Sequence, residues 1–174
     1  MPLRPDRLPI LLRVFPVDEY LLEKTAVLPG KTRMPGSMTK KYGRQSNMKL
    51  EEIKSEHAPK AIGPYSHGRK YGDMIITSGQ IPLDPDTNEM VTEIKAATRM
   101  VLNNLLSIVE AGGGSKESIA KVDVFVKTLD DFAAINEVYS EFFGDHRPAR
   151  VLVQVGDLPA GAKLEAAMTA FVCD

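Results

Sequence analysis

The sequence has no tryptophan, a single cysteine and three histidines in 174 residues, and each shortage removes a class of chemistry. The one cysteine, Cys173, excludes an internal disulfide and points to a reducing compartment, read as the cytoplasm. His57, His67 and His146 are scattered and, with that one cysteine, give no zinc-ligand spacing, so no metal is expected. No apolar run approaches the roughly 20 residues that a membrane-spanning helix needs, and no block of like charge suggests a nucleic-acid tail. The 22 basic and 23 acidic residues nearly cancel, but not evenly along the chain. Residues 1–47 hold nine Lys/Arg against four Asp/Glu, a balance of +5, while residues 48–174 hold 13 against 19, a balance of −6. An acidic globular part is poorly suited to a phosphate backbone, so a nucleic-acid partner is not expected.

What is present divides at Met48. Residues 1–47 are rich in proline and Lys/Arg, with one apolar run, Leu8–Phe15, around Arg13. That run lacks a secretory signal's pattern, and no small-residue cleavage site follows it closely. The segment is read as an extension outside the folded part, poorly ordered or lying upstream of a natural start at Met48. Its basic character makes a mitochondrial presequence the alternative, against which stand Asp6, Asp18, Glu19 and Glu23. Residues 48–174 are read as one domain, and a chain that is 43% hydrophobic can bury a core.

Within that domain, Leu50–Ser55 reads as a short edge strand. A turn-rich stretch, His57–Ser66, leads into a two-stranded hairpin, Ser66–Lys70 and Met74–Gln80, about Tyr71-Gly72-Asp73. The second strand ends at Ser78-Gly79, where a glycine without Cβ lets a ligand approach backbone N–H groups. Thr92–Ala111 has Ile94, Ala97, Val101, Leu105 and Ile108 at helical spacing, with Thr92 as the expected cap and Gly112-Gly113-Gly114 as its end. The triple glycine follows a helix and has no Gly-Lys-Ser/Thr tail, which counts against a phosphate loop. Ile119–Lys127 alternates as a strand, with Val122, Val124 and Val126 on one face. A second helix, capped by Asp130 or Asp131, runs to about Phe143 with Phe132, Ile135, Tyr139 and Phe142 as its stripe. Asn136 lies beside that stripe, either as a structural hydrogen-bonder or as part of a site.

The last third carries two β-branched, apolar runs, Ala149–Val155 and Ala162–Val172, joined by Gly156-Asp157-Leu158-Pro159-Ala160-Gly161. Each contains one group that packing alone would not choose. Arg150 opens the first run, and its guanidinium is a fork suited to a planar carboxylate. Glu165 stands between Leu164 and Ala166 in the second, where apolar neighbours can raise a carboxyl pKa toward that of a general base. Each also has a plain structural reading, as a salt-bridged arginine and as a carboxylate on a solvated face. The order β-β-α-β-α-β-β, with hairpin-like pairs at each end, gives an α+β class with two helices on one face of the sheet. If the last two strands paired as a hairpin, Val153 would face Glu165 and Arg150 would lie about 10 Å further along. That distance is long for two groups acting on one small acid, so they are expected to come from different subunits or from strands paired otherwise.

Ala61-Ile62-Gly63-Pro64-Tyr65-Ser66, Ser78-Gly79-Gln80-Ile81-Pro82, Asp131-Phe132 with Asn136 and Tyr139, Phe142-Phe143, Pro148-Ala149-Arg150 and Leu158-Pro159 occur together in order. On these motifs the chain from about Met48 to Val172 resembles the RidA family, the reactive intermediate (enamine/imine) deaminases. The resemblance implies a chorismate-mutase-like α+β fold with a mixed sheet, and a homotrimer with active sites in the clefts between subunits. It also implies hydrolysis of 2-aminoacrylate, 2-iminopropanoate and 2-iminobutanoate to 2-keto acids and ammonia, without metal or cofactor. By the same resemblance Arg150 would hold the substrate carboxylate and Glu165 would position or activate water. Ser78 and Gly79 would line the pocket, and Tyr65 and Asn136 would shape it.

Three positions depart from the family pattern. His67 follows Ser66 where many relatives have glutamine, Met100 stands where glutamine is frequent, and Leu152 replaces a cysteine or threonine near the ligand. Leu152 makes the pocket wall more apolar. An endoribonuclease or translation inhibitor, and a non-catalytic keto-acid-binding or chaperone-like module, are the competing functions. The acidic domain counts against the first, and Glu165 would have no purpose in the second.

Overall fold

Three strands, a helix, a strand, a second helix and two strands follow one another in the computed structural model, which describes residues 49–173. The expected extension, residues 1–47, lies outside the described residues. The elements are β1 (Leu50–Ile53), β2 (Gly68–Tyr71), β3 (Met74–Thr77), α1 (Ile94–Ala111), β4 (Ile119–Val126), α2 (Phe132–Phe143), β5 (Ala149–Gln154) and β6 (Leu164–Phe171). They form one six-stranded sheet in the order β1-β2-β3-β6-β4-β5, covered on one face by the two helices. Every neighbouring pair is antiparallel except β4 and β5, which are parallel. The class is therefore the expected α+β with a mixed sheet, and the Leu50–Ile53 strand edges it.

The alternation of β4 and β6 makes the core. Val122, Val124 and Val126 lie in register with Met168, Ala166 and Leu164, all buried under the helices. On α1 the spacing predicted from the sequence holds: Ala97, Val101, Leu105 and Ile108 have no exposed surface. A fully buried leucine such as Leu105 contributes about 2 kcal/mol by leaving water. The cap, however, is Glu93 and not Thr92. The Glu93 carboxylate accepts the N–H groups of Lys95 and Ala96, doing with a longer side chain what a threonine does one position closer. Past Gly112 the chain turns at Gly113, whose φ of +93° is glycine's own territory.

Two other expectations need correction. Asp131 precedes α2 without a side-chain capping bond, because a short 3-10 turn, Leu129–Asp131, runs into the helix and Thr128 caps that turn instead. The buried stripe of α2 is Ile135, Val138, Tyr139 and Phe143, while Phe132 is exposed and Phe142 half-buried. The larger correction concerns the C-terminal pair. β5 and β6 do not form a hairpin, since β4 lies between them. A strand, a helix and a strand in succession make a β-α-β crossover, which places β5 parallel to β4.

Candidate active site

Glu165 lies on the face of the sheet away from the helices, half-buried, in register with Phe125 of β4. Beside it the β3–β6 ladder changes register. Ile76 faces Thr169, but Gln80 bridges Ala166, so β3's extension carries one extra residue across Ser78-Gly79. Thr77 repairs part of the break, its hydroxyl accepting the Met168 N–H at 2.9 Å. The Glu165 carboxylate occupies the space over Gly79: a Cβ there would meet Glu165 Oε1 at 1.9 Å. Glycine at 79 thus leaves the carboxylate its place, which any Cβ there would force it to give up, a reason the sequence alone could not supply. No hydrogen bond or ion pair engages that carboxylate among the described residues, and burial pushes its pKa above the ordinary glutamate value.

The neighbouring groups are fixed by the same break. Ser78 Oγ donates to Ser66 O at 2.7 Å, tying the end of β3 to the preceding loop. Asn104 of α1, buried among apolar side chains, donates to Leu83 O at 2.8 Å and anchors the loop after Gly79. Tyr65 turns back so that its ring covers Gly63 and its hydroxyl accepts the Ile62 N–H at 3.4 Å. Tyr65, Gly79, Gln80 and Ile81 line a cavity of 20 Å³, about the room of one water molecule. A larger cavity of 420 Å³ runs from Tyr65, Ser66 and His67 to Glu52 and Lys54, and neither Glu165 nor Arg150 lines it. His67 has a structural task at its rim, where its Nδ1 accepts the Ser55 N–H at 3.1 Å.

Arg150 belongs to the other face. It is in register with Val122, which points into the core, and its guanidinium lies 4.6 Å over the ring of Tyr139 on α2. No ion pair or hydrogen bond of the Arg150 side chain is made among the described residues, so there the N–H groups of the fork are unused. Leu152, two residues on and half-buried, shares that face, and so packs against the core. Asn136 is half-buried one turn before Tyr139, and its amide has no hydrogen-bond partner among the described residues.

The predicted residues therefore gather in two groups. Tyr65, Ser78, Gly79 and Glu165 are brought together on one side, and Asn136, Arg150 and Leu152 on the other. Val122 and Phe125, which carry the register of Arg150 and Glu165, are three residues apart, an odd number that puts the two side chains on opposite faces. Two strand spacings and three residues separate their Cα atoms by about 14 Å. Sequence reading placed Tyr139 in the apolar stripe of the helix and among the family motifs, but missed it as the partner of Arg150.

Residues 55–172 match the family model described as Endoribonuclease L-PSP. A RutC family protein from Pyrococcus abyssi is 49% identical over 119 residues, spanning 68% of this chain and 94% of that protein. The 2-iminobutanoate/2-iminopropanoate deaminase of Escherichia coli K12 is 48% identical over 116 residues, 65% of this chain and 91% of the relative. Among solved structures, E. coli TdcF with bound serine superposes with a TM-score of 0.68 at 44% identity, covering 71% of this chain and 99% of TdcF. With 118 residues matched to one family model and near-half identity to such relatives, the chain belongs to the RidA/Rid family.

Proposed function

We propose that the protein hydrolyses small 2-imino acids, formed from enamines such as 2-aminoacrylate, to 2-keto acids and ammonia, in clefts between the subunits of a homotrimer. One observation carries this reading: a fork and a desolvated carboxylate, both unpaired among the described residues, on opposite faces of one sheet. Each is half of a site for a carboxylate-bearing electrophile, and a second copy of the chain can bring the halves together. The open face of the sheet supplies surface for such assembly, with Ile76, Val151, Val153 and Phe171 all more than 40% exposed. The similarity to a named imine deaminase supports the same chemistry.

The reaction asks little of the protein. An imine carbon beside a carboxylate is already electrophilic, and more so once its nitrogen is protonated. Arg150 of one copy would hold the carboxylate by two parallel hydrogen bonds, with Asn136 and Leu152 beside it. Glu165 of another copy would take a proton from a water as its oxygen bonds to C2, giving a tetrahedral carbinolamine. Glu165 returns that proton to the nitrogen, the C–N bond breaks and ammonia leaves, while the Glu165 carboxylate takes the remaining hydroxyl proton so that the C2–O bond becomes the carbonyl of the 2-keto acid. The Gly79 N–H and Tyr65 would shape the pocket wall.

The test is release of ammonia and 2-keto acid from 2-aminoacrylate generated in situ. Wild type is expected to be active, and Arg150→Ala and Glu165→Gln each inactive alone. Unfolding and reassembling the two variants together should restore part of the activity, because a mixed interface can hold one intact site. Absence of turnover by the wild type, or complementation with no recovery, would overturn the reaction or the shared site respectively. Cleavage of single-stranded RNA without imine hydrolysis would favour the reading that the family model's description carries.

A further inference from the structure

We propose that Tyr139 is the positioning residue of the carboxylate fork, holding Arg150 by its flat face so that every N–H on its edge stays free for the ligand. This rests on the deaminase reading only in taking Arg150 as the group that receives the substrate carboxylate.

An unpaired guanidinium needs something to fix its plane. An acidic partner would do so through the edge of the fork, which is the part a substrate carboxylate must use. Resting over the face of an aromatic ring, 4.6 Å from its centroid, holds the cation without using a hydrogen bond from its edge. The ring is itself immobilised. Tyr139 is buried and packs at 4.6 Å on Phe143, which meets Phe142 edge-on at 5.0 Å and lies 5.9 Å from His146. His146 Nε2 is in turn 2.8 Å from Ile119 O, so the series runs from the substrate arginine to the start of β4. The hydroxyl does not explain the tyrosine, for its oxygen is buried and has no hydrogen-bond partner among the described residues. Burial pushes the phenol up to about 12 against the pull of Arg150, so the ring stays neutral and does not become the edge-binding anion.

Three variants separate this role from packing. Tyr139→Phe keeps the face and drops the unused hydroxyl, so KM and the Kd for pyruvate, read by calorimetry, should match wild type. Tyr139→Leu removes the face, and both constants should rise roughly 3- to 30-fold with kcat little changed. Val138→Ala, a buried neighbour on α2, should lower the melting temperature without moving either constant. In wild type the Arg150 Nε–H resonance should be shifted upfield by the ring current, a reading that stands even if Tyr139→Leu does not fold. Unchanged KM and Kd in Tyr139→Leu, or an unshifted resonance, would overturn the proposal. Because pyruvate binding needs no turnover, a protein that binds pyruvate but hydrolyses no imine would sink the deaminase reading and leave this one standing. A wild type that binds no pyruvate would overturn this one.

Discussion

The two faces of the sheet near the site solve the same problem in opposite ways. On the helix face a cation is kept poised by an aromatic ring, its charge stabilised and its donors unused. On the open face a carboxylate has no partner among the described residues and is pressed over a glycine, with its charged form disfavoured by burial. The first arrangement favours binding and asks for no proton transfer. The second favours proton transfer and is a poor anchor. A chain that satisfied both groups internally would have no site, since a ligand would first have to break an established pair, and leaving a buried charge without its partner is strongly destabilising.

Three measurements on two variants test that contrast. The largest effect is expected for Glu165→Gln, which keeps shape and loses the base. Turnover should fall by about 10²- to 10⁴-fold, while pyruvate affinity measured by calorimetry stays near that of wild type. A variant as fast as wild type would return Glu165 to a structural role. Next comes Gly79→Ala. The backbone at Gly79 is not in the left-handed region, so an alanine fits the chain there but not the carboxylate above it. Moving that carboxylate by about 1 Å should cost roughly 10²-fold in kcat with a smaller change in melting temperature. Wild-type kcat in this variant would show that the position of Glu165 is not critical.

The smallest effect is on stability. A carboxyl whose folded pKa is raised contributes fully below its unfolded pKa, and that contribution is lost as pH rises through the folded value. Glu165→Gln has no such loss, so its melting temperature relative to wild type should climb between pH ~3 and pH ~8. A difference that stays flat across that range would mean Glu165 is not desolvated in the folded protein.

Much of this was legible in residues, and the remainder fails for identifiable reasons. Arg150 and Glu165 stood out because each is a charged group in an apolar run, and both are unpaired among the described residues. Which face each occupies was not legible, since alternation fixes a residue's side only after the strand's neighbours are known. The turn-rich connection suggested a hairpin-like pair at the C-terminal end, but it does not say which strand β5 and β6 each join. The β3-α1-β4 connection spans β6, whereas β4-α2-β5 joins neighbours, and only the assembled sheet separates the two cases. Tyr139 was read as core by its spacing, correctly, but no pattern in one dimension joins residue 139 to residue 150. Gly79 was marked as a place of close approach, and the group that approaches proved to come from the same chain.

Strand β4 carries a consequence for how this site tolerates change. Arg150 is placed by Val122 and Glu165 by Phe125, so one inner strand measures the interval between them like marks on a ruler. The connection from β5 to β6 sets none of that interval, although it joins the two residues in sequence. Leu158 and Ala162 pin it to Ile81 and Leu83, while at Gly156 an added side chain would meet nothing within 4 Å. Lys127 Nζ holds that tip by Gly156 O at 2.9 Å, so a change of length or composition there is expected to cost this surface bond and to leave the interval between Arg150 and Glu165 as β4 sets it.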